Sequence, residues 1–262
     1  MDQPSGRRRF LKSVIAMGAV GLPAPGQADE AHAQHAPPGV PAASAQTSAA
    51  PPRAYMFLTP PEVAFVEAAA ARLIPADELG PGAKEAGVAY FIDQQLFGAY
   101  GTMAKKYRQG PWPEGTPQQG YQSPLTPQEV YRAAIRESNL YCRRQYGKTF
   151  DELAPEQQDQ VLRGLDEGKI ALESVPSRFF FDLLLANTQE GFFADPVYGG
   201  NRNKIGWKLV GFPGVPAVYT DHIEKYNVPY LVEPVSIADV QQNLTQGDEH
   251  GHPQHVRLSR DR

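Results

Sequence analysis

Residues Ser177 to Phe192 read S-R-F-F-F-D-L-L-L-A-N-T-Q-E-G-F, with Phe179, Phe180 and Phe181 followed by Leu183, Leu184 and Leu185. No alternation of period two runs through this stretch, and its length is that of a helix rather than a strand. A helix that is apolar almost all round belongs in the middle of a core or an interface. The neighbouring segments carry the start and stop signals of helices. Thr59-Pro60-Pro61-Glu62 and Thr126-Pro127-Gln128-Glu129 are capping boxes with proline at the first helical position. The first opens a helix with Val63, Val66, Ala70 and Leu73 on one face, ended by Pro75. The second opens a helix to about Tyr146, stopped by Gly147, with Tyr131, Ala134, Ile135, Ser138, Tyr141 and Cys142 facing inward and Arg132, Arg136 and Arg143 away. Further helices are expected over Lys84–Leu96 (Val88, Phe91, Ile92 and Leu96 inward), near Met103–Arg108, and from Pro155 to Asp166. Short ones are expected at Thr220–Tyr226 and Ile237–Gln242.

No set of alternating strands is visible, so the fold class is mostly α. The expectation is a single compact helical domain over 54–243 with long Pro/Gly-rich loops. The longest loop, Gly98 to Leu125, carries Pro111, Pro113, Pro117 and Pro124 and is expected to be anchored by Tyr107, Trp112 and Tyr121. Asp195 to Asn203 is turn chemistry, with Gly199 and Gly200 free to take positive φ. Residues 34–53, rich in Ala and Pro, and 244–262 lack apolar periodicity and read as a disordered linker and tail.

The N-terminus has a different logic. Gly6-Arg7-Arg8-Arg9-Phe10-Leu11-Lys12 precedes a short apolar run, Val14 to Leu22, and then small residues. This is the layout of a signal peptide over 1–33, and Arg7, Arg8, Phe10, Leu11 and Lys12 form a twin-arginine export motif. The alternative is an ordinary basic n-region. Cleavage after Ala28 or after Ala33 is compatible with the small residues there. Twin-arginine signals mark chains exported already folded, with a cofactor or with a partner that carries one.

The composition excludes several classes. The net charge of −4 comes without a basic stripe, which argues against nucleic-acid binding. One cysteine rules out a covalent c-type haem site, and there is neither a G-x-G-x-x-G dinucleotide loop nor a G-x-S-x-G elbow. His250, His252 and His255 sit in the polar tail, where a His-rich stretch can bind metal loosely; a solvated tail is the plainer reading. No catalytic, cofactor-binding or metal-ligating residue is assigned. His222 and Asp182 are the residues an independent periplasmic enzyme would use; a surface histidine and an Asp182–Arg178 ion pair are the plainer readings. A binding or scaffold protein without an enzyme partner is the other alternative. Cys142 is either a buried inert thiol or, with Arg143, Arg144 and Gly147 placing it near a helix end, the source of an intersubunit disulfide.

Four segments resemble one family. They are Leu73-Ile74-Pro75-Ala76-Asp77, Gly80-Pro81-Gly82-Ala83-Lys84-Glu85-Ala86-Gly87-Val88, Gly191-Phe192-Phe193-Ala194-Asp195-Pro196-Val197-Tyr198-Gly199-Gly200-Asn201, and Gly206-Trp207-Lys208-Leu209-Val210-Gly211-Phe212-Pro213-Gly214. Together they resemble the gluconate 2-dehydrogenase subunit 3 family, from about Leu58 to Val240. The resemblance implies a non-catalytic small subunit of a membrane-associated sugar or polyol dehydrogenase. It implies a catalytic partner of the glucose–methanol–choline type that holds FAD, with no cofactor in this chain, and a multihaem cytochrome c as a further partner. It further implies a role in maturing the flavoprotein and carrying it through the twin-arginine pore. The location would be the periplasm, with inner-membrane contact only through partner subunits. The candidate partner surface is then Cys142, Tyr198, Gly199, Gly200, Asn201, Arg202, Trp207 and Phe212, with Trp112 and Tyr121 from the Pro-rich loop. The same glycines and aromatics also suit a tight turn packed on the chain's own core.

Overall fold

A computed structural model describes residues 54–113, 115–215, 223–242, 246–247 and 253–254. The export motif, the 34–53 linker, His222 and the tail histidines lie outside the described residues. The described helices are α1 (Pro60–Leu73), α2 (Val88–Phe97), α3 (Ala99–Thr102), α4 (Pro127–Tyr146), α5 (Pro155–Asp166), α6 (Ser177–Phe193), α7 (Ile205–Val210) and α8 (Ile237–Gln241). The only strands among the described residues, β1 (Gln246–Gly247) and β2 (Pro253–Gln254), form a two-residue antiparallel pair. The fold is mostly α, as the sequence leads one to expect.

Helix α6 is the hub: α1, α2, α4, α5 and α7 all pack against it. Its buried residues are Ser177, Phe180, Phe181, Leu184, Asn187, Thr188, Gly191 and Phe192. It is not apolar all round, however. Arg178, Asp182, Ala186 and Glu190 recur every four residues and form one exposed stripe. Asp182 therefore sits in solvent, 4.0 Å from Arg178 across a weak i,i+4 pair, rather than in the core. Around α6 the aromatic rings interlock. Phe65 lies 4.6 Å from Phe150 and 6.2 Å from Phe180, and Tyr131 meets Phe180 edge-on at 5.6 Å. The buried Tyr131 hydroxyl accepts from Asn187 Nδ2 at 3.0 Å, so its polar end is not orphaned.

The capping boxes hold the helix starts. Thr126 N–H donates to Glu129 Oε2 at 2.7 Å while Glu129 N–H donates back to the Thr126 hydroxyl at 3.3 Å. At α1 the Glu62 carboxylate accepts from both the N–H and the hydroxyl of Thr59, each at 2.8 Å. Arg72 on α1 forks onto Asp159 of α5 with two 2.7 Å bonds.

Several boundaries differ from expectation. The second helix starts at Val88, because 82–87 form a turn closed by Ala86 N–H to Gly82 O and Gly87 N–H to Lys84 O. The helical turn expected at Met103–Arg108 lies earlier, at Ala99–Thr102, and Met103 ends it in a left-handed conformation (φ 53°). The inward face of α1 is Phe65, Val66, Ala69 and Ala70, while Val63 and Leu73 are only partly buried. Residues 223–226 contain no helix, and 220–222 lie outside the described residues. In the long loop Tyr107 is 89% exposed, and its hydroxyl donates only to Gln109 two residues on, so it does not tie the loop to the body. The anchors are Arg108, which donates to the carbonyls of Ser123 and Pro124, and Tyr121. The Tyr121 hydroxyl donates to Leu125 O at 2.6 Å, and its ring meets Phe179 edge-on at 5.2 Å. Trp112 lies under the Arg108 guanidinium, 5.5 Å from ring centroid to Cζ, and stays partly exposed.

Candidate functional site

The turn that follows α6 is built from its backbone outward. Asp195 opens a 3₁₀ turn at Pro196–Tyr198 by accepting from Val197 N–H at 2.9 Å. Its second oxygen accepts from Ile237 N–H at 2.8 Å, which ties the C-terminal helix α8 to the turn. Asn201, fully buried with φ 45°, is the pin. Its N–H donates to Gly191 O at 2.9 Å, its Nδ2 to Ala194 O at 2.8 Å, and its Oδ1 accepts from Gly206 N–H at 2.8 Å. One side chain thus joins the end of α6 to the start of α7. An asparagine suits the position because it tolerates the left-handed region and offers both a donor and an acceptor.

The two glycines of the turn serve different ends. Gly199 has φ 101° and lies against the Tyr90 ring. Gly200 does not have positive φ. A Cβ there would stand 2.1 Å from Gly191 O, so its role is close backbone approach. Trp207 is buried, and its indole N–H donates to Phe193 O at 2.7 Å. Arg202 donates its backbone N–H to Ala86 O at 3.0 Å. That contact joins the turn to the Gly80–Val88 segment. Leu79, Pro81, Glu85, Ile205, Lys208 and Leu209 line a groove of about 510 Å³ between them.

The segment that follows is zipped beneath the turn. Val215 N–H donates to Val235 O at 2.8 Å, and Val235 N–H to Pro213 O at 3.0 Å. Lys204 pairs with Asp239 at 2.8 Å and Lys208 with Glu233 at 2.7 Å. Burial alone would raise the Asp239 carboxyl. The Lys204 ammonium and the Ser236 N–H and hydroxyl outweigh it and hold the carboxyl below its usual range.

The candidate surface residues therefore divide. Gly199, Gly200, Asn201 and Trp207 are buried within the chain itself and pack the turn on its own core. Tyr198 (54%) and Phe212 (46%) are exposed, the latter stacked edge-on against Trp207 at 5.1 Å. Val197, Val210, Val215 and Leu231, from the same turn, α7 and zipped segment, are exposed as well. Arg202 and Tyr121 are intermediate and Trp112 is partly exposed. Cys142 is corrected most plainly. Its thiol is fully buried, and burial pushes its pKa up to about 11, so it is not offered to a partner's cysteine. The surrounding helix packs that face inward although the chain ends the helix only five residues later.

Two positions were not singled out by pattern reasoning. Asp93, on the inward face of α2, is fully buried, and Glu137 of α4 is nearly so. Glu137 accepts from the backbone N–H groups of Glu173 (2.7 Å) and Ser174 (3.1 Å), from the Ser174 hydroxyl and from Arg136 at 3.2 Å. A carboxylate spaced four from apolar inward positions was the available signal, since such a group must be bonded. Among the described residues there is no group of three or more His, Cys, Asp or Glu able to hold a metal ion, and no helix long and apolar enough to cross a membrane.

Comparisons with curated proteins and with solved structures return no match. The family model described as gluconate 2-dehydrogenase subunit 3 matches residues 60–214, from the start of α1 to the residue that bridges to Val235. The match covers all four of the family-like segments and ends within the first side of the zip, at Gly214, short of the Val240 limit read from the sequence. With more than half of its length matched, this chain belongs to the gluconate 2-dehydrogenase subunit 3 family.

Proposed function

We propose that the chain is the non-catalytic small subunit of a periplasmic, membrane-associated dehydrogenase that oxidises a sugar or polyol. Membership of a family named as a dehydrogenase's third subunit supports a role within a multi-subunit assembly. In our reading the catalytic partner is an FAD-dependent flavoprotein of the glucose–methanol–choline type, and a multihaem cytochrome c takes the electrons onward. FAD belongs to the partner. The chain assists the flavoprotein's maturation and carries it through the twin-arginine pore on its own Arg7-Arg8 signal. Contact with the inner membrane runs through the partner subunits.

The observation that carries this reading is the split within the family turn. Asn201, Asp195 and Trp207 hydrogen-bond the turn to the body, while Tyr198 and Phe212 project from it with about half their surface free. A rigid base presenting aromatic anchors is what a complex formed before export requires, because little ordering cost remains to be met on binding. The test is to change Arg7 and Arg8 together to Lys. Both this chain and the flavoprotein are then expected to remain in the cytoplasm. Undiminished flavoprotein activity in the periplasm would refute the escort role.

A further inference from the structure

Residues 54–58 have no regular structure, yet helices from three parts of the chain hold them. Asp93 of α2 accepts from three successive backbone N–H groups: Met56 at 2.7 Å, Phe57 at 2.9 Å and Leu58 at 2.8 Å. Gln94 Nε2 adds a fourth bond at 3.0 Å. From α4, Arg132 donates to Phe57 O at 2.7 Å, lies 4.3 Å over the Phe57 ring and pairs with Glu62 of α1. The Tyr55 hydroxyl donates to Glu67 of α1 at 3.2 Å. The Tyr55 ring meets Tyr90 of α2 edge-on at 6.0 Å, and Tyr90 is the ring against which Gly199 of the family turn packs.

The contacts are mutually dependent. A fully buried carboxylate is costly without donors, and three adjacent N–H groups in a non-helical segment need acceptors. Asp93 and the segment satisfy each other, and Arg132 closes over the outside once α1 and α4 are side by side. Local contacts within 54–58 would not hold it.

We propose that residues 55–58 form a strap, latched by Asp93 and clasped by Arg132, that locks only after α1, α2 and α4 have packed. The strap fixes where the N-terminal extension leaves the domain, next to the family turn, and does so only in the folded state. It is a property of this chain alone and does not rest on the escort reading, so its test needs no partner.

Full-length protein is treated with chymotrypsin across a urea series. Cleavage after Tyr55, Phe57 and Leu58 is followed by mass spectrometry, and helix content by circular dichroism. In the wild type, cleavage at these bonds is expected only as helix is lost. In Asp93→Asn, cleavage without urea is expected to rise at least about tenfold with helix content unchanged, as for a locally opened segment. Arg132→Ala, a change at a partly exposed side chain, is expected to show a smaller rise. Wild-type cleavage at these bonds ahead of helix loss would overturn the proposal. So would variants as resistant as the wild type. Wholesale loss of helix in both variants would also overturn it, since the strap would then be inseparable from the body.

Discussion

At Gly200 the carbonyl of Gly191 occupies the place a side chain would need, and neither backbone can retreat while Asn201 pins both ends. Gly200→Ala is expected to cost about 3 kcal/mol, at the upper end for overpacking, read as a lower urea midpoint. Gly98→Ala is the control: its Cβ would meet nothing closer than 3.4 Å, in an extended conformation that alanine accepts. Equal midpoints for the two variants would show that the close approach does not matter. Cys142 belongs to the same scale. With its thiol buried and its pKa raised to about 11, it is expected to resist alkylation in the native protein and to react once after denaturation. A non-reducing gel showing this chain covalently joined to another subunit would contradict that.

Among the elements, α4 shows what sequence patterns can and cannot reveal. Thr126, Pro127, Glu129 and Gly147 define its ends by local chemistry, which is why its bounds were legible; α5 and α6 were read equally well from proline and apolar runs. The face of α1 was legible in part: Val66 and Ala70 are inward as expected, but the buried stripe is centred on Phe65 and Ala69, with Phe65 against Phe150 and Phe180, and Val63 and Leu73 lie at its edges, only partly buried. The same holds for the site. Its aromatic and glycine residues were visible as types, but which of them point outward depends on Asn201 and Asp195 binding partners far along the chain. Glu137 is the α4 residue with the sharpest consequence. Burial would raise its carboxyl, but the Ser174 hydroxyl, the Ser174 and Glu173 N–H groups and Arg136 hold it below its ordinary 4.5. The unfolded chain therefore keeps the proton to higher pH than the folded one. Glu137's stabilisation is present above the unfolded value and fades as pH falls through the lower folded value. Glu137→Gln is expected to cost about 2 kcal/mol at neutral pH, because donors now face an amide. The gap between wild type and variant should narrow as pH falls below the ordinary glutamate value and through the lower folded one. A gap that is constant with pH in urea titrations would remove the charge from the account.

At the scale of the molecule, the described body is a helical hub with a fixed turn at one end of α6, and under the proposed function the exposed side chains of that turn, not the buried ones, meet another protein. Tyr198→Asp with Phe212→Asp should leave the body folded, since both side chains are about half exposed, while removing the apolar anchors from the complex. The most direct measurement follows the flavin. The flavoprotein is co-expressed with affinity-tagged wild-type chain, with the Tyr198→Asp/Phe212→Asp chain, or with no small subunit, and protein-bound flavin is read by absorbance in the tagged periplasmic eluate. Under the escort role, a yellow complex with dehydrogenase activity is expected for the wild type, a colourless eluate of folded small subunit for the double variant, and little periplasmic flavoprotein when the small subunit is omitted. A colourless wild-type eluate alongside full periplasmic flavoprotein activity in its absence would contradict it.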